Sequence, residues 1–89
     1  MIKYKLSENQ MSSALAGETV ILNHKKGIYY GLNEVGACIW ETLESAPSSA
    51  SELLDVVVSE FEIDKQTAEN DINVLIEKLL KEKLIEVAQ

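Results

Sequence analysis

The period of the apolar positions changes once along this chain, at Asn33, and the change divides it into a strand-forming N-terminal third and a helical remainder. Residues 11–16 predict a first strand and Gly17-Glu18 a turn. Thr19, Val20, Ile21, Leu22 and Asn23 predict a second strand, whose β-branched run suits a half-buried sheet. His24 to Gly27 then closes a hairpin onto a third strand, Ile28, Tyr29, Tyr30, Gly31 and Leu32, which is aromatic and β-prone. Residues 3–7 predict an extended arm ahead of this meander. A sheet this small needs another layer against its apolar face.

Asn33 supplies that layer's start, because its side chain can accept a backbone N–H at a helix N-terminus. Val35, Ile39, Trp40 and Leu43 follow at helical spacing. Gly36, a poor helix former, predicts close packing against a neighbour. Residues 45–51, with Pro47 and four serines, interrupt the helix and offer a new cap. Leu53, Leu54, Val57, Val58 and Phe61 predict a second amphipathic helix. Asp64 caps a third and longest one, whose core stripe is Ala68, Ile72, Leu75, Ile76 and Leu79. Lys81 to Lys83 fall in its last turn, where cations suit the helix dipole, and residues 84–87 form a short apolar end. The sum is an α+β fold, winged helix-turn-helix-like, with a three-stranded antiparallel sheet followed by three helices. With 89 residues, 1–89 is expected to form one domain around a single core.

Composition narrows the class. No apolar run approaches the roughly 18 residues of a membrane span. The lysines at the start are followed by polar residues instead of an apolar core, so no secretory signal is expected and the cytoplasm is the default. The lone cysteine, Cys38, agrees with a reducing compartment and reads as a small buried hydrophobe within the first helix. Fifteen acidic residues face eight basic ones, every one a lysine, for a net charge of −7. Nucleic-acid binding relies on Lys and Arg clusters that displace counterions, so no nucleic acid is expected as partner. The acidity serves solubility or steers a basic partner.

The junction string Tyr29-Tyr30-Gly31-Leu32-Asn33-Glu34-Val35-Gly36-Ala37-Cys38-Ile39-Trp40 resembles the signature of the PqqD-like peptide chaperones, also called RiPP recognition elements. The resemblance extends over about residues 14–87, and its specific part ends at Trp40. It implies a winged-helix module that binds the leader of a ribosomally synthesised precursor peptide as an added strand against the third strand, in a groove bounded by the third helix. It also implies delivery of that peptide to a cognate maturation enzyme. This enzyme would be a radical enzyme, as in pyrroloquinoline quinone biosynthesis, or the leader peptidase of a lasso-peptide pathway, with the lasso type favoured.

The residues fit that implication. If the strand Ile28, Tyr29, Tyr30, Gly31, Leu32 lies at a sheet edge, its free N–H and C=O groups can pair with an extended peptide, and Gly31 permits close approach of another backbone. Strand alternation sends one of Tyr29 and Tyr30 inward and the other outward, and the sequence leaves open which. On the third helix, at about 100° per residue, Val74 points away from the core stripe and lies beside Asp71, Leu75 and Lys78. These four either form the wall of the leader groove, an apolar centre with charged ends, or include in Val74 one more solitary exposed hydrophobe.

Nothing catalytic presents itself. His24 is the only histidine and reads as a solvated turn residue. Glu34 is explained by the helix dipole and Trp40 by the core. Glu60, Glu62 and Asp64 lack the ligand series of a calcium loop. No cofactor or metal is expected, and the chain reads as a non-enzyme. A winged-helix DNA-binding regulator is the alternative, but it predicts a basic recognition helix. Residues 65–80 carry only Lys65 and Lys78, against Glu69, Asp71, Glu77 and the neighbouring Asp64. A docking subunit of a larger enzyme would share the scaffold without affinity for free peptide. An exposed strand edge also invites self-pairing, so monomer and dimer both stand.

Overall fold

In the computed structural model, residues 2–8, 10–15, 18–23 and 25–88 are described. The order of elements is β1 (Lys3–Leu6), β2 (Gln10–Leu15), β3 (Glu18–Asn23), β4 (Ile28–Leu32), α1 (Glu34–Ser45), β5 (Ser48–Ser49), α2 (Ala50–Glu60), α3 (Lys65–Lys81) and β6 (Ile85–Ala88). The α+β class, the three helices and the meander that precedes them are as the sequence predicts. Ala16 and Gly17 of the first expected strand and turn, and His24, lie outside the described residues.

The meander is an antiparallel sheet in the order β2-β3-β4. Its inward row follows from the β3–β4 register, in which Thr19 faces Leu32, Ile21 faces Tyr30 and Asn23 faces Ile28. Thr19, Ile21, Asn23 and Leu32 are buried, and the alternate residues Val20 and Leu22 are less so. Asn23 also builds the hairpin turn. Its side-chain oxygen accepts the N–H groups of Lys25 and Lys26 at 3.0 and 3.1 Å, and its carbonyl accepts from Gly27 at 2.8 Å. Gly27 stands at φ +65°, where a residue without Cβ is unstrained.

Each helix starts on a side-chain cap. Asn33 Oδ1 accepts the Gly36 N–H at 2.9 Å, Ser49 and Glu52 form a reciprocal capping box, and Asp64 accepts the Thr67 N–H at 3.2 Å. Helix α1 ends at Ser45, where Ala46 turns extended ahead of Pro47, as the ring clash with a preceding helical residue demands. Trp40, Ile39, Leu43, Leu53, Val57, Ala68, Ile72, Ile76 and Leu79 form the interhelical core, closed by Ile21, Leu32, Leu84 and Ile85. Val58 is partly exposed and Phe61, the C-cap of α2, is half-buried, so the second helix buries a narrower stripe than its sequence predicts. Among the described residues no helix is long and apolar enough to cross a membrane.

Two terminal expectations change. The N-terminal arm is strand β1, the centre of a second antiparallel sheet in the order β5-β1-β6. Its partners are the two-residue β5, from the serine-rich break, and β6, from the apolar end. Of residues 81–83, expected in the last turn of the third helix, only Lys81 lies within it. Helix α3 stops at Lys81, Glu82 is its C-cap, and Lys83 adopts φ 59°. Lys83 N–H donates to the Leu80 carbonyl and Leu84 N–H to the Leu79 carbonyl, at 3.0 and 2.9 Å. This pair of bonds is a Schellman motif, and Leu79 and Leu84 join the core on either side of it.

Candidate functional site

Strand β4 is an edge of its sheet, paired with β3 on one side only. Its C-terminal end, Gly31 and Leu32, borders a cleft of about 390 Å³ between the β4–α1 junction and helix α3. Gly31, Leu32, Asn33, Val35, Gly36 and Ile39 line the near wall, and Asp71, Val74, Leu75 and Lys78 the far one. The sheet residues Gly31 and Leu32 and the four helix residues singled out from the sequence thus meet at one feature.

Each wall has a local cause. Because the strand runs into the Asn33 cap with no loop, the first turn of α1 lies against the end of β4. Gly36 makes that approach possible, since a Cβ there would stand 3.2 Å from Leu32 Cβ and 3.4 Å from Asn33 Oδ1. At Gly31 a Cβ would meet nothing within 4 Å, leaving the strand edge open to another chain. On α3, Ile72 and Ile76 point into the core, and Leu75 is half-buried at the boundary. Val74 is 67% exposed although it is aliphatic. Asp71 and Lys78 sit at the two ends, about 10 Å apart along the axis at 1.5 Å per residue. The site therefore offers unpaired main-chain groups along one side, an apolar centre, and one charge of each sign at its limits.

The alternation left open by the sequence is resolved. Tyr29 is 69% exposed on the outer face with Leu22 opposite, whereas Tyr30 points inward across from Ile21. The Tyr30 hydroxyl donates a 2.5 Å hydrogen bond to Glu82 Oε2, and the Lys78 ammonium stands 5.8 Å from its ring centroid. Of the strand residues expected to contact a peptide, Ile28 and Tyr29 are exposed, and neither they nor Tyr30 line the cleft. Tyr30 is a tether between β4 and the end of α3. Its hydrogen bond to Glu82, then burial, raise the phenol above its ordinary range, and the bonds from Tyr30 and Lys26 hold the Glu82 carboxyl below its own. Lys26 Nζ lies 3.0 Å from Glu82 Oε2, and Asn23 Nδ2 donates to the Glu82 carbonyl at 3.1 Å.

Sequence reasoning missed this anchor. Glu82 reads as one more charge in a lysine-rich helix end, and its partners lie more than 50 residues away. Asn33, Val35, Gly36 and Ile39 were legible only as cap and core. Their second role at the cleft was signalled by nothing beyond the junction motif that contains them.

Cys38 departs from expectation: it is half-buried, on the wall of a separate cleft between α1 and α2. Burial, then Glu60 and Glu41, raise its thiol above the ordinary range, so the thiolate is disfavoured. Among the described residues no group of three His, Cys, Asp or Glu side chains is placed to hold a metal ion.

The fold and this site define a small winged-helix module with an open strand edge beside a cleft. The family model for coenzyme PQQ synthesis protein D (PqqD) matches residues 18–85, and the chain belongs to that family. Among solved structures it is similar to TbiB1 in complex with the TbiA(beta) leader peptide, at 32% identity and a TM-score of 0.83, over 92% of this chain and 94% of that one. It also has the fold of a lasso peptide synthetase B1 complexed with the leader peptide, at 24% identity and a TM-score of 0.78, over 93% of this chain and 96% of that one. The search of curated proteins returned no significant match.

Proposed function

We propose that residues 1–89 act as one non-catalytic RiPP recognition element. The chain captures the leader of a ribosomally synthesised precursor peptide as an additional strand on β4 and presents it to a maturation enzyme. The observation that carries this reading is the pairing of an open edge strand with an apolar cleft on α3. The similarity to TbiB1, whose partner in its solved structure is a leader peptide, supports it.

Magnitudes assign the work within the site. An edge of five residues offers about four or five main-chain hydrogen bonds, each worth a net ~1 kcal/mol. Fixing the leader's backbone costs about 1–2 kcal/mol per residue, so those bonds give register and direction without net affinity. A micromolar complex needs about 8 kcal/mol, which must come from apolar side chains of the leader. Each one seated against Leu32, Leu75 and Val74 contributes about 1.5–3 kcal/mol. Ile28, Tyr29, Tyr30, Gly31 and Leu32 thus serve as the strand platform, and Asp71, Val74, Leu75 and Lys78 as the groove wall.

The enzyme served is the leader peptidase of a lasso-type pathway, with a radical enzyme of the PQQ type as the alternative. The module works in the cytoplasm with β4 unpaired. A dimer formed through β4 would occupy the same edge and compete with the leader.

Titration of the protein with the leader segment of a short peptide encoded beside it, followed by amide NMR, tests the reading. Binding at micromolar concentration or tighter, with shifts concentrated in residues 28–32 and 71–78, is the expected outcome. Absence of shifts at millimolar leader would replace it with a docking subunit that has no affinity for free peptide.

A further inference from the structure

A second cleft, of about 560 Å³, lies between α1 and α2 and shares no residue with the leader groove. Its floor is Ala37, Val56 and the half-buried Phe61, and its rim carries Glu34, Glu41 and Glu60. None of these three carboxylates has an ion-pair partner among the described residues. Charge along the chain is sharply segregated around it. Residues 34–64 contain eight carboxylates and no Lys, Arg or His. The eight lysines all lie outside that segment, against the other seven carboxylates, so α1, α2 and the turn into α3 carry a charge of −8 and the rest of the chain +1.

We infer that this α1–α2 face docks a basic amphipathic helix of a protein partner, with the partner's apolar stripe on Ala37, Val56 and Phe61 and its cations on the glutamate rim. Three alternatives are disfavoured by the same charges. Nucleic acid and the anionic leaflet of a membrane are repelled, and a second copy would bring a like-charged face. An apolar floor with an acidic rim is the complement of a basic helix seated in a groove. The rim charges speed encounter and make docking dependent on salt. Because α1 presents Val35, Gly36 and Ile39 to the leader groove and Cys38, Glu41 and Thr42 to this one, both can be filled together. The inference rests on the proposed delivery role for the partner's identity, since a chaperone that hands over a peptide needs a second surface for the recipient.

Cys38, the only cysteine, stands on the cleft wall and reports occupancy through its alkylation rate. The probes are a designed Lys/Leu amphipathic helical peptide and its Glu/Leu counterpart, each with the full chain at roughly 0.1 M and 1 M salt, where the screening length falls from about 10 to 3 Å. The expected result is that the basic peptide alone slows alkylation at low salt and that high salt removes the effect. The double variant Glu41→Gln/Glu60→Gln should weaken protection about fivefold, as expected for two partly screened charges, while leader affinity stays unchanged. Equal protection by the acidic peptide, no protection by the basic one, or full protection of the double variant would each overturn the docking face. Failure of the parent chain to bind leader, with its protection by the basic peptide intact, would instead overturn the delivery role alone.

Discussion

Lys83 holds a backbone conformation that its side chain opposes, and Lys83→Gly should therefore stabilise the protein. At φ 59° the Cβ of an L-residue crowds its own carbonyl, at about 1–2 kcal/mol. Glycine removes that penalty but loses about 0.5–1 kcal/mol more conformational freedom on folding. The difference is about 0.5–1 kcal/mol in favour of glycine. The side chain contributes little against this, being exposed and absent from the ion pairs found among the described residues. The backbone bonds of the motif survive, as does the Lys83 carbonyl, which accepts the Ser7 hydroxyl at 2.8 Å. For a domain of this size about 4–8 °C accompanies each kcal/mol, so Tm should rise by roughly 2–8 °C. Thermal melts by circular dichroism, with urea midpoints at unchanged m, measure it. The isosteric control Lys83→Met should leave Tm nearly unchanged, and Lys83→Val should lower it, since β-branching worsens the same crowding. A Tm for Lys83→Gly equal to or below that of the parent would refute the argument. It would mean that the Lys83 side chain does more than its exposure suggests.

Four further outcomes follow from the structure. Ser49→Ala removes the oxygen that accepts the Glu52 N–H at 3.1 Å and should cost about 1 kcal/mol, read as a lower urea midpoint. Glu82→Gln should flatten the acid limb of the stability profile. The folded carboxyl titrates below its unfolded value, so its stabilisation is complete above the ordinary carboxylate range and fades as pH falls through the depressed one. Tyr30 acts in the opposite sense, favouring the fold below the ordinary tyrosine range and losing that contribution at higher pH, so Tyr30→Phe should flatten the alkaline limb. Urea midpoints across pH resolve both limbs. Val74→Asp places a charge in the centre of the groove wall at a position that packs little, so it should leave stability within about 0.5 kcal/mol. Leader affinity should fall at least about tenfold, and undiminished affinity by calorimetry would place the leader elsewhere.

Local signals carried much of this protein. Residues 28–32, the Asn33 and Asp64 caps and the α3 stripe are short-range patterns, set by strand propensity, capping chemistry and helical periodicity, and they stand in the structure as the sequence reads, except that Leu75 of the stripe is half-buried at the cleft. Val74 was legible as an odd apolar position because a helix turns by a constant angle, and its neighbours Asp71, Leu75 and Lys78 do line one cleft with it. What needed tertiary structure was everything whose partner lies far along the chain. β5 is two residues long and β1 pairs with the opposite terminus, so neither propensity nor period marks that second sheet. The inward turn of Tyr30 was undecidable from alternation alone, since both faces of β4 carry a tyrosine, and it is decided by pairing with Ile21 and by Glu82. Glu82 itself reaches that position because the chain reverses through a left-handed Lys83, a conformation for which lysine carries no sequence signal. The sequence thus determined the elements and the chemistry they present, through interactions between near neighbours, whereas the closure of the β4 end, the start of α1 and the flank of α3 into one groove arose from contacts that only the folded chain creates.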